Sequence, residues 1–477
     1  MSTTNQDLAF TPAWQLKRMI SQKQVSPVEL TKLYFERIDQ LDSQLNAYLT
    51  LNQDQALTSA KKAETAVMKG DALGSLHGLP IGIKDLEKTQ GIRTTLGSLI
   101  YKDHVPKADS IVVERLRKAG VIILGKTNTS EFGALGVNEN KLGDHCRNPW
   151  NRERTSGASS GGSGAAMAAG LCALATAGDG GGSIRIPASF CGLYGIKNTQ
   201  GRVPSYSGTL VTHLPNFLGQ QGPISRSVRD SAMMLQVLAG YDQRDPSSLR
   251  EAPPNFLSSL ERGVKGLKLG WSSNYGYIHS DPEVLDACIK ASHVFEELGC
   301  SLEESHLSLE STFETWWTIW TAHAHINSGS LLTTNRDDLT WYNERKLEAG
   351  AKVTAEDYAK ALGRREEMIA QFNHEFEQFD LLLSPTMPVT AFQVGTFPET
   401  IGGHPVLPNP PYGFMPFSHP INTIGHPAAS VPCGFSSEGM PIALHIIGKK
   451  GDESTVLAAS AAFEEARPWA QYRPPIS

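Results

Sequence analysis

Two serine- and glycine-rich segments, Gly157-Ala158-Ser159-Ser160-Gly161-Gly162-Ser163 and Asp179-Gly180-Gly181-Gly182-Ser183, flank an apolar run at residues 165–177, AAMAAGLCALATA. No other stretch restricts the fold as strongly. Glycines in series let a backbone turn tightly and approach what lies beside it, so each segment reads as a tight loop. The run between them is too short, and too rich in alanine and glycine, to span a bilayer. It predicts one buried helix with a loop at each end.

The second loop carries chemistry. In Gly180, Gly181, Gly182 and Ser183 consecutive amides can converge on one point, as an oxyanion hole requires, each donor typically being worth about 10²–10³ in rate. Ser183 lies beside those amides, where acyl transfer needs a nucleophile. A serine needs a base, and neither loop contains a histidine; His145 is the nearest. Lys84 is the better candidate, in the apolar context Leu79 to Leu86, between Ile83 and Asp85. Desolvation disfavours its charged form. A fall of about three pKa units, roughly 4 kcal/mol, makes it a base near neutral pH.

Other readings of the same residues stay open. Gly157-Ala158-Ser159-Ser160-Gly161 fits G-x-S-x-G, with Ser159 as nucleophile and a distant histidine as base. That elbow needs a preceding strand, and residues 147–156, RNPWNRERTS, are polar and turn-rich. A phosphate loop is weaker still, since no G-K-[ST] follows.

Apolar periodicity places elements around the loops. Ser26-Pro27-Val28-Glu29 is a capping box, opening a helix whose face carries Leu30, Leu33, Tyr34, Ile38 and Leu41. The first 70 residues read as helical. Strands are predicted at 79–83, 121–124, 266–271, 379–383, 429–432 and 442–447. Helices are predicted at 110–119, 227–240 (capped by Ser227 and Asp230), 282–298, 355–378 and 452–466, and residues 384–427 read as a long ordered loop. Strands separated by helices imply an α/β fold, a mixed or parallel sheet covered on both faces.

Composition narrows the partners. A net charge of −6 without a basic run argues against a sequence-independent grip on nucleic acid. The six cysteines are scattered with no CxxC pair, so free thiols in a reducing, cytoplasmic compartment are expected rather than zinc or disulfides. The N-terminus lacks the charged and apolar regions of a secretory signal. His323 and His325 have no third ligand at useful spacing, so no metal is expected.

The ordered set Gly82-Ile83-Lys84-Asp85, Gly157 to Ser163, Asp179 to Ala188, Phe190-Cys191-Gly192, Lys197 to Arg202 and Ser430 to Gly434 resembles the amidase signature family, Ser–cis-Ser–Lys amidohydrolases. Ser183 follows Ser159 by 24 residues, which also fits its pattern. The resemblance implies a large mixed β-sheet sandwiched between helices and a cofactor-free hydrolysis. It implies that Lys84, neutral, deprotonates Ser159, that Ser159 relays a proton from Ser183, and that Ser183 is acylated. The amides of Gly180, Gly181, Gly182 and Ser183 would form the oxyanion hole. Ser160, Asp179 and Arg185 would support the site, with Asp179 and Arg185 paired, and the Ala158–Ser159 peptide bond would be cis. Ala158 stands where the family often has glycine.

The resemblance further implies one domain over residues 1–477: a helical segment 1–70, a core 75–245, a variable pocket region 250–400 and a return to the core sheet at 415–477. Phe132, Gly133, Trp316, Trp317 and Phe414 are candidate pocket residues. Phe313, Trp316, Trp317 and Trp320 fall at helical spacing, and such a stripe is core or one wall of an apolar pocket. The expected partner is an uncharged amide or carbamate, as in bacterial aryl acylamidases, urethanases and 6-aminohexanoate cyclic dimer hydrolases. No nucleic acid, membrane or cofactor is expected, and a homodimer is left open. A second reading is the amidase subunit of a tRNA-dependent amidotransferase, though Ile186 stands where that branch carries glutamine. A third is a catalytically dead binding protein, against which Lys84, Ser159 and Ser183 stand intact.

Overall fold

The computed structural model describes residues 5–208, 218–310, 312–406 and 410–476. Residues 1–4 of the expected helical segment and 407–409 of the expected long loop lie outside them. Strands follow in chain order: β1 (Tyr48–Leu51), β2 (Pro80–Lys84), β3 (Ile122–Thr127), β4 (Arg147–Asn148), β5 (Asn151–Thr155), β6 (Leu174–Asp179), β7 (Tyr194–Lys197) and β8 (Gln220–Ser225). The second half adds β9 (Lys268–Trp271), β10 (Ser301–Glu304), β11 (Leu381–Pro385), β12 (Thr400–Ile401), β13 (His404–Pro405), β14 (Ala428–Phe435) and β15 (Pro441–Gly448). Eleven of them build one mixed sheet in the order β1-β3-β2-β6-β8-β7-β14-β15-β11-β9-β10, and helices sandwich it as expected.

Neighbours β3, β2 and β6 run parallel, and every residue of all three is buried. A sheet covered on both faces reads as continuous apolar runs rather than alternation, which is why Pro80–Ile83 and Ile122–Leu124 are legible in the sequence. The three strands end at the same edge. Chain leaving the carboxyl ends of parallel strands is where α/β sheets place ligands, and the two serine loops gather there.

Local rules hold in several places. Ser26 accepts from the Val28 and Glu29 amides at 2.9 and 3.5 Å, and Glu29 accepts from the Ser26 amide at 3.0 Å, the reciprocal box that opens helix Pro27–Leu45. The helix Ala355–Gln378 has the predicted bounds and a second box at Thr354 and Asp357.

Four expectations need correction. The apolar run 165–177 is not one helix: the helix spans Gly161–Ala168, Gly170 turns the chain at φ 65°, and the remainder is β6. A fully buried strand and a fully buried helix share one apolar pattern, so periodicity cannot divide them. The helical N-terminal segment is interrupted by β1, which pairs antiparallel with β3 along the sheet edge. Residues 147–155 form a β4–β5 hairpin apart from the main sheet, so a strand does precede the first serine loop. Ser227 caps the helix Val228–Leu238, but the Asp230 carboxylate instead accepts from the Ala13 and Trp14 amides at 3.0 and 2.8 Å, opening a different helix.

Residues 250–400 add β9, β10 and β11 to the sheet as well as the helices Phe313–Ser328 and Trp341–Ala351. The expected loop 384–427 holds the β12–β13 hairpin and two short helices, Pro410–Gly413 and His419–Ile424.

Candidate active site

Lys84 is the last residue of β2 and is 1% exposed. Its Nζ lies 2.8 Å from Ser159 Oγ, 2.8 Å from Ser160 Oγ and 3.2 Å from the Gly178 carbonyl at the end of β6. Burial is the main cause that lowers its pKa, to about 7, and the charges of Asp179 and Glu87 oppose only part of that fall. A neutral amine has two N–H donors and one lone pair. Ser160 Oγ sits 3.3 Å from the Gly178 carbonyl and donates to it, which leaves its oxygen to accept from Lys84. With its two N–H groups given to Ser160 and Gly178, a neutral Lys84 would have its lone pair free to accept from the Ser159 hydroxyl 2.8 Å away.

Ser159 follows a cis peptide bond from Ala158. Gly133 presses against it, because a Cβ there would lie 3.1 Å from Ser159 Oγ and 2.9 Å from Leu86 Cδ1. Ser183 is 9% exposed and opens, with Lys84 and Ser159, onto one cavity of about 240 Å³. That is below the roughly 300–1,000 Å³ of most ligand pockets.

The loop Asp179–Ser183 is braced from below. Arg185 Nε and Nη2 donate to the two Asp179 oxygens at 3.0 and 3.1 Å, with both side chains fully buried. Burial alone would raise the Asp179 pKa, but the Arg185 charge and hydrogen bonds hold it well below the usual carboxylate range. Nη2 is shared with the Ser418 carbonyl (2.9 Å) and Asn422 Oδ1 (2.6 Å), and Nη1 donates to His445 Nε2 (3.1 Å). Burial keeps the His445 pKa well below its ordinary value, so its ring is neutral and accepts. A buried ion pair needs further partners to offset its desolvation, and each guanidinium nitrogen of Arg185 has at least one.

One oxyanion expectation is corrected. The Gly182 amide donates to Asp179 Oδ1 at 2.7 Å, so it braces the loop. Gly182 also sits at φ 134°, where a Cβ would come within 2.4 Å of Ser418 Oγ. Gly180, Gly181 and Ser183 line the cavity, and among the described residues no acceptor takes their amides.

Of the pocket candidates, Phe132, Gly133 and Trp316 line the cavity. Trp317 and Phe414 do not: Trp317 stacks on Phe313 with ring centroids 5.6 Å apart, and Phe414 is fully buried beside Phe392 and Phe190. Trp320, Tyr412, Met415 and Gln221 stand at the wall instead. The sequence holds a signal for Trp320, since residues four apart on a helix share a face and adjacent ones do not. Ser418, Asn422 and His445, which brace the loop, carry no sequence signal that separates them from their neighbours. The two histidines part: His323 Nε2 meets the Tyr358 hydroxyl at 2.6 Å, and His325 Nδ1 meets the Leu347 carbonyl at 3.1 Å. No helix among the described residues is long and apolar enough to cross a membrane.

Known proteins share this sequence pattern and fold. The sequence profile of the amidase family matches residues 29–457. An acylamidase of Rhodococcus erythropolis is 34% identical over 481 residues, covering 99% of this chain and 98% of its own. A glutamyl-tRNA(Gln) amidotransferase subunit from Moorella thermoacetica is 37% identical over 494 residues, covering 98% and 99%. The crystal structure of a bacterial aryl acylamidase superposes with a TM-score of 0.90 at 32% identity, covering 97% of each chain. The chain belongs to the amidase signature family and is an amidohydrolase.

Proposed function

We propose that the chain hydrolyses the C–N bond of an uncharged amide or carbamate, with a small aryl or apolar group seated against the Trp316–Trp320 wall. Neutral Lys84 takes the Ser159 proton, and Ser159 takes the proton of Ser183 as Ser183 Oγ attacks the carbonyl carbon. The carbonyl electron pair moves onto oxygen, facing the Gly180, Gly181 and Ser183 amides. Collapse breaks the C–N bond, and Ser159 passes a proton to the departing nitrogen. Water then enters by the same relay and releases the acid from Ser183.

The observation that carries the substrate class is the cavity wall. Among its described residues the ionisable side chains are Lys84, Asp179 and His323, with the Tyr412 phenol beside them. Lys84 is the base, Asp179 is paired with Arg185, and burial lowers the His323 pKa. None is left to pair with a charged substrate, and a charge buried without a partner costs several kcal/mol. Purified chain offered acetanilides, short aryl carbamates, primary amides including glutamine, and cyclic lactam oligomers is expected to favour a neutral aryl substrate. Its kcat/KM should exceed that for glutamine by about 100-fold or more. Glutamine as the best substrate would overturn this and favour the amidotransferase reading, which the Moorella relative supports.

The Lys84 pKa sets a pH dependence. The base must be neutral, so activity is lost as pH falls and Lys84 gains a proton. kcat/KM should therefore drop about tenfold per unit below pH 7 and level off above it. A flat profile between pH 5 and 7 contradicts the assignment.

A further inference from the structure

We propose that Trp316 is a positioning residue that fixes the oxyanion hole, so that the pocket wall and the catalytic loop act as one unit. This rests on acylation of Ser183 as proposed above. In a trans peptide the C=O and N–H point in opposite directions, so whatever holds a carbonyl also aims the next residue's amide. The loop has four such peptides, and each carbonyl is held. Asn422 Nδ2 donates to the Asp179 carbonyl at 2.9 Å, Trp316 Nε1 to that of Gly180 at 2.9 Å, and Ser418 Oγ to that of Gly181 at 2.7 Å. The Ile186 amide donates to the Gly182 carbonyl at 2.7 Å.

The Gly180–Gly181 peptide is the vulnerable one. It has glycine on both sides, so sterics do not oppose a flip. Among the described residues its carbonyl has one partner, the Trp316 indole. A flip would replace the Gly181 donor with a carbonyl oxygen facing the developing oxyanion. The indole is itself locked. It is 2% exposed, it stacks on Trp320 at 4.5 Å, and a Cβ on Gly181 would come within 2.7 Å of its Cζ2. Trp316 and Trp320 also line the cavity. A substrate group resting on this pair therefore bears on the residue that holds a transition-state donor in place.

The test separates N–H from ring. Trp316→Phe keeps an aromatic wall without the donor, and benzothienylalanine at position 316 replaces the N–H by sulfur at nearly constant shape. Both are expected to lower kcat about tenfold with KM within about twofold. Affinity for an arylboronic acid, which forms a tetrahedral adduct on serine, should fall in parallel with kcat/KM. A kcat within about twofold of wild type in the benzothienyl variant overturns the proposal, whatever KM does. So does a lowered kcat with unchanged boronate affinity. Ser183→Ala run alongside keeps the two ideas apart: if it retains turnover the nucleophile is wrong, and if it is dead while the benzothienyl variant turns over normally only the role of Trp316 fails.

Discussion

Ser183→Ala is expected to lower turnover of an acetanilide or aryl carbamate about 10⁶-fold, to the level left by binding and the oxyanion donors alone. The fold should survive, because among the described residues the Ser183 hydroxyl makes no hydrogen bond that the structure needs. The loop is held by Asp179, Arg185, Asn422 and Ser418, each through contacts of its own. Near-ultraviolet circular dichroism and a melting temperature within a few degrees of wild type are the controls. The substitution also discriminates. If Ser159 attacked the carbonyl, the Ser183→Ala enzyme would keep its acyl-enzyme burst and lose only part of its rate.

Lys84→Ala is expected to lower turnover by about three to five orders of magnitude. Among the described residues, the base in contact with Ser159 Oγ is the Lys84 amine. Removing that amine leaves a hydroxyl relay with nowhere to send its proton. The residue is buried in packed surroundings, so Lys84→Met, which fills the site without an ionisable group, should show the same loss and guards against a folding artefact. Both variants should also lose the acid limb near pH 7, because the group that titrates there is gone. A near-normal rate in Lys84→Met removes Lys84 as the base.

Much of this site is legible in the chain itself. Lys84, Ser159 and Ser183 announce themselves by context: a lysine at the end of an apolar strand, and serines in glycine loops. The Asp179–Arg185 pair is also where the resemblance places it. What escapes has physical reasons. The divide between the helix Gly161–Ala168 and β6 is invisible because both sides of Gly170 are fully buried and equally apolar. β1 is four residues long, too short for an alternation to register. The Gly182 amide belongs to the oxyanion hole by its neighbourhood in the chain, but a carboxylate three residues back takes it, and only coordinates reveal that competition. The bracing by Ser418, Asn422 and His445 joins residues more than 230 positions from the loop they hold, a distance over which local pattern carries no information.

The wall shows the same limit at closer range. Trp316, Trp317 and Trp320 lie on one helix, and helical geometry says that the first and third share a face. It does not say which face meets the cavity. Tyr412 and Met415 complete that wall from a distant part of the chain, so which face of the helix meets the cavity is settled by tertiary packing.

The most direct measurement is to label the wild-type chain with a fluorophosphonate probe or a slow-turnover aryl carbamate and map the adduct by tandem mass spectrometry. A hydroxyl activated through Ser159 and Lys84 places the adduct on Ser183, with none formed in Lys84→Met on the same timescale. An adduct on Ser159, or labelling of Ser183 that proceeds at the normal rate without Lys84, contradicts the relay.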